Sequence, residues 1–105
     1  MAKVFHPVAR VDEIAPGELR YVEAGGRAIC LANVGGEIVA LGNTCTHERA
    51  SLSEGTLRGQ RLQCPLHGGA FNVFSGEPER YPAVFPVKTY SVRVEDGVIL
   101  VGVRS

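Results

Sequence analysis

The 105-residue sequence has only three cysteines, too few and odd in number for a disulfide-built scaffold. It has no surplus of charge. Lys and Arg number 11, Asp and Glu number 11, and the formal net charge is zero. That balance excludes general binding to nucleic acid or to an anionic membrane surface, which needs a basic excess. No apolar run approaches the roughly 20 residues of a membrane span. The opening MAKVFHPVAR lacks the apolar core of a secretion signal, so a cytoplasmic protein is expected. No segment carries a long helical period capped at both ends, and there is neither an internal repeat nor a low-complexity tract. What remains is an ordinary globular composition, 45% hydrophobic and 21% charged, on one small domain spanning residues 1–105. So short a chain buries a thin core, and a metal site would supplement it.

Glycine is plentiful, at 13 residues, and it punctuates short apolar runs. Val4 to Val11 reads as a strand, and Pro16-Gly17 as a turn. Leu19 to Glu23, Arg27 to Asn33 and Glu37 to Leu41 read as three further strands. Gly25-Gly26 and Gly35-Gly36 fall between them, where hairpin turns need positive φ. Val87, Tyr90, Val92 and Val94 lead into Asp96-Gly97, a strong hairpin signal, and Val98 to Val103 follows as a β-branched strand. The expected class is all-β.

Residues 42–86 are different in character. They hold two cysteines, two histidines and four of the six prolines, Pro65, Pro78, Pro82 and Pro86. Much of this stretch reads as loop, with at most one helical turn between Thr44 and Gly55. A compact domain tolerates so much irregular chain only when something fixes it, and a bound metal centre would do so. Cys45-Thr46-His47 and Cys64-Pro65-Leu66-His67 stand sixteen residues apart, each at an expected turn.

These two motifs, with Leu52-Ser53-Glu54-Gly55, Gly68-Gly69-Ala70-Phe71, Ser75-Gly76 and the Pro82/Pro86 segment, resemble Rieske proteins. The closer similarity is to the Rieske-type [2Fe–2S] ferredoxins of multicomponent aromatic-ring dioxygenases. The resemblance implies three stacked antiparallel β-sheets, with residues 42–86 forming a cluster-binding subdomain at one tip. It implies one [2Fe–2S] cluster, with Cys45 and Cys64 on one iron and His47 and His67 on the other. The oxidised centre then carries no net charge, where four thiolates would leave it at −2. A neutral centre accepts an electron more readily, which places Rieske potentials at roughly −150 to +300 mV.

Respiratory Rieske proteins add a disulfide and two hydroxyl groups around the cluster. The matching positions here are Ala50 and Leu66, and Gly69 and Phe71, so the low end of the range, about −150 mV, is expected. Gly68 and Gly69 would let the backbone pass close to the sulfides, and Pro82 and Pro86 would stiffen a covering loop.

The resemblance implies an electron carrier, not an enzyme in its own right. Its partners would be a flavin-dependent NAD(P)H ferredoxin reductase and a terminal aromatic-ring-hydroxylating oxygenase. Two other readings compete. One is the small Rieske-like subunit of an assimilatory nitrite reductase, whose members often lack some cluster ligands; all four are present here. The other is a structural zinc site on the same four residues, for which the one-residue Cys-x-His spacing is unusual. Cys30 lies in an apolar strand and reads as a core residue, and His6 as a surface residue. Glu48, Arg49, Arg58, Arg61, Glu77, Glu79 and Arg80 border the motif loops as solvated surface or as a docking rim. Phe71, Phe74, Tyr81 and Phe85 read as core beneath those loops.

Overall fold

A computed structural model describes residues 2–46, 50–66 and 68–104. Ten strands account for its regular structure, together with two single 3-10 turns at Val11–Glu13 and Leu52–Glu54. Strands β1 (Lys3–Arg10), β2 (Leu19–Ala24), β3 (Arg27–Val34), β4 (Glu37–Gly42), β9 (Thr89–Glu95) and β10 (Val98–Arg104) form one antiparallel sheet in the order β1-β10-β9-β4-β3-β2. The four three-residue strands β5 (Thr56–Arg58), β6 (Arg61–Gln63), β7 (Ala70–Asn72) and β8 (Pro78–Arg80) form a second antiparallel sheet in chain order.

The larger sheet is folded on itself. Strand β9 meets β4 only at Thr89 and Tyr90, then turns to pair with β10 from Ser91 to Glu95. That corner leaves two three-stranded layers, β2-β3-β4 and β1-β10-β9, and the short strands add a third. The all-β, three-layered architecture expected from the sequence is therefore present.

Alternation along β3 shows how one strand serves two cores, because successive side chains point to opposite faces. Ile29 and Leu31 face a base core shared with Ile38, Ala40, Ile99, Val101 and Val103. Cys30, between them, faces a tip core with Leu41, Leu52, Leu62, Phe71 and Val73. Five consecutive residues of β3, Ile29 to Asn33, are buried, as a strand covered on both faces requires. Asn33, the polar one, is satisfied. Its side-chain amide donates to the Ile14 carbonyl at 2.8 Å, and its side-chain oxygen accepts from the Gly36 N–H at 2.7 Å.

The hairpins lie where the glycine pairs and Asp96-Gly97 place them, and Asp96 takes the positive φ of 51° that its turn demands. Most of the described residues from 42 to 86 are loop and turn, as expected, with the four three-residue strands β5 to β8 set among them. One boundary needs correction: strand β1 ends at Arg10, and Val11 begins a 3-10 turn.

Candidate metal centre

Both cysteines of the paired motif close a loop in the same way. The Cys45 N–H donates to the Ala50 carbonyl at 3.0 Å, and the Cys64 N–H donates to the Gly69 carbonyl at 2.6 Å. Each cysteine thus fastens the base of a loop whose other end lies five residues on. The first loop is anchored further by the Thr44–Ser51 bridge and by Asn43. The Asn43 carbonyl accepts from the Leu52 N–H at 2.7 Å, and its side-chain oxygen accepts from the Ser53 N–H at 3.0 Å. The second loop springs from the β6–β7 hairpin, where Gln63 pairs with Ala70. In sequence, each loop holds one histidine. His47 and His67, with Glu48 and Arg49, lie outside the described residues.

The two thiols share one apolar setting. Cys45 is 4% exposed and Cys64 3%, and both belong to the tip core with Ala50, Leu52, Leu62 and Phe71. Cysteines from two loops, buried together at the end of a small domain, suit an iron–sulfur centre, whose thiolate ligands are sheltered from water. Cys30 lies in the same core, fully buried on β3, and burial pushes its thiol pKa up to about 12. It is therefore a neutral core thiol, as the sequence indicates.

A third segment, residues 81–86, covers this end. The Thr46 hydroxyl donates to the Phe85 carbonyl at 2.8 Å, and the Val87 N–H donates to the Gly76 carbonyl at 2.9 Å. Gly69 lies so close beneath this segment that a Cβ there would sit 3.2 Å from the Ala83 nitrogen and 3.3 Å from the Ala83 Cβ. The glycine thus admits the proline segment against the second cysteine loop. Thr46, Asn43 and Gly76 act through backbone contacts, and no pattern in the sequence marked them for that role.

The aromatics divide. Phe71 is wholly buried, as expected. Phe74, Tyr81 and Phe85 are exposed, which corrects the reading of them as core. Residues 81–86 cover the tip core with backbone and Ala83, and their large side chains point outward. Of the charged border, Arg61 and Glu79 form an ion pair at 3.2 Å, and the Asn72 amide donates to the second Glu79 oxygen at 3.1 Å.

Comparison with known proteins agrees with this geometry. The Rieske [2Fe-2S] domain family matches residues 4–91. Ferredoxin CarAc of Metapseudomonas resinovorans is 40% identical over 102 residues, covering 96% of this chain and 95% of its own. The ferredoxin in a complex of reduced oxygenase and oxidized ferredoxin in carbazole 1,9a-dioxygenase superposes with a TM-score of 0.89 at 39% identity, covering 95% of this chain and 94% of that one. A nitrite reductase small subunit described as NADH-dependent, from Mycobacterium tuberculosis, superposes with a TM-score of 0.88 at 26% identity, covering all of this chain and 99% of its own. The chain belongs to the Rieske [2Fe-2S] domain family, and its cofactor is a Rieske-type [2Fe–2S] cluster.

Proposed function

We propose that this protein is the ferredoxin component of an aromatic-ring-hydroxylating oxygenase system. It carries single electrons from a flavin-dependent NAD(P)H reductase to the terminal oxygenase, in the cytoplasm. Cys45 and Cys64 hold one iron and His47 and His67 the other, within a cluster-binding subdomain of residues 42–86. When bound, the cluster takes up and gives back one electron at a time.

The observation that carries this reading is the pair of buried thiols at the bases of two matched loops, under a pinned third segment. The chain's own residues supply the rest. The tip core shields the thiolate side from water. The backbone bonds at Cys45 and Cys64 fix where the ligands start, which limits rearrangement between oxidation states. Phe71, fully buried and without a hydroxyl, and Gly69, without a side chain, offer the cluster sulfurs no side-chain donor. A potential near the low end of the Rieske range, about −150 mV, follows.

The test is a three-component assay with a ring-dioxygenase reductase, NADH and a Rieske oxygenase. Oxygenase reduction that depends on the reconstituted protein supports the carrier. Equal rates without it contradict the carrier. The nitrite reductase small subunit supports a second reading, as a fixed subunit. Co-purification with a large reductase at constant stoichiometry distinguishes it.

A further inference from the structure

A cavity of about 110 Å³ opens at the corner where β9 leaves β4 for β10. Its wall holds Lys3, Lys88 and Arg104 beside Thr89, Ser91 and Gly102. Three cations thus meet in a chain of zero net charge, and no carboxylate lines the cavity among the described residues. The ion pairs Arg10–Asp12 and Arg61–Glu79 lie elsewhere and leave all three without an acidic partner. Glu95, the one acid of β9, pairs with Val98 at the far end of the strand, roughly 13 Å from Ser91. Like charges gathered this way repel one another until an anion comes between them.

The cations are held in place. Gly102 is buried within β10 and its φ is not positive, so the backbone does not require glycine there. A Cβ at this position would lie 2.6 Å from Lys3 Cδ and 2.9 Å from the Phe5 ring. The missing side chain is the notch in which the Lys3 stem lies, and the Lys3 ammonium donates to the Ser91 hydroxyl at 2.7 Å. Ser91, accepting that bond, keeps its own O–H as a donor. Lys88 is fixed through its carbonyl, which accepts from the Gly42 N–H at 2.8 Å, and its ammonium lies 5.3 Å from the centre of the Tyr90 ring. Arg104 stands opposite Lys3 in the β1–β10 register.

We propose that this cavity binds a compact, multiply charged oxoanion of the phosphate class. Three cations call for more than one negative charge, and ammonium, guanidinium and hydroxyl groups all donate to oxyanion oxygens. A cavity this small admits one such group and no length of chain. A bound anion ties β1, β9 and β10 together at the corner and stabilises the folded chain by mass action. The site does not depend on the carrier reading.

The test is an NMR titration of the isotope-labelled, iron-loaded protein with sodium phosphate near pH 8, at ionic strength held constant with NaCl. The Ser91, Gly102 and Arg104 amides should shift together on one saturable curve, with the visible spectrum unchanged. Sulfate should compete. Lys3→Met, which keeps the stem in its notch, Lys88→Met and Arg104→Gln should each weaken phosphate about tenfold, the worth of one charge-assisted hydrogen bond. Arg27→Gln removes the same charge outside the cavity and should bind like wild type. Shifts that never saturate, or that are the same in Lys3→Met, overturn the site. An equal loss in Arg27→Gln reduces it to general charge attraction and overturns it too. A saturable curve with hexaglutamate and none with phosphate assigns the cations to an acidic protein segment instead.

Discussion

The Thr46 hydroxyl donates a 2.8 Å hydrogen bond to the carbonyl of Phe85, 39 residues further along the chain. It ties the loop that begins at Cys45 to the segment that covers the tip. The bond is exposed, so its net worth is modest, about 0.5–1 kcal/mol. Thr46→Val keeps the shape and removes the donor. Its melting temperature should fall by about 2–8 °C in thermal unfolding followed by circular dichroism. No change would show that Gly69 and Val87 hold the segment unaided.

Gly76 is a tighter constraint. Its φ is +78°, and a Cβ added there would run into the carbonyl oxygen of Val87, a residue whose backbone N–H donates to the Gly76 carbonyl. Two costs combine in Gly76→Ala, a left-handed backbone and a backbone clash. The variant should lose more than about 2 kcal/mol in urea unfolding. A loss under about 0.5 kcal/mol, the size of an ordinary surface change, would contradict the close approach.

The three cysteines should behave as two kinds. Cys30→Ala removes a core thiol and should leave iron content and the reduced-state EPR spectrum intact. Cys45→Ser or Cys64→Ser should abolish or grossly alter both. Loss of iron from Cys30→Ala while Cys45→Ser retains it would reverse the assignment.

Cys30 also predicts a pH dependence. Burial raises its pKa from the ordinary 9.0 to about 12, so the folded chain keeps the proton while the unfolded chain releases it. Stability from this group is complete below about pH 9 and declines as pH rises toward about 12, by about 1 kcal/mol per pH unit. Urea melts between about pH 9 and 11 should fall more steeply for wild type than for Cys30→Ala. Parallel slopes would contradict this.

Much of this molecule was legible because its signals are local. Strands β2, β3 and β4 are set off by Gly25-Gly26 and Gly35-Gly36, and the β9–β10 hairpin by Asp96-Gly97; these turns depend on their own residues. Cys45 and Cys64 announced themselves by their spacing to a histidine. The strands β5 to β8 were hidden, because three residues are too few to display alternation and because β8 begins with Pro78, which an edge strand tolerates. The outward turn of Tyr81 and Phe85 was hidden for another reason. It follows from Ala83 and Gly69 meeting beneath them, a contact between segments distant in sequence.

Iron and acid-labile sulfide analysis, read with EPR of the reduced protein, tests the central claim most directly. The account predicts two iron and two sulfide per chain and a rhombic reduced-state signal. A folded, reconstituted, colourless protein holding zinc and no sulfide would contradict it.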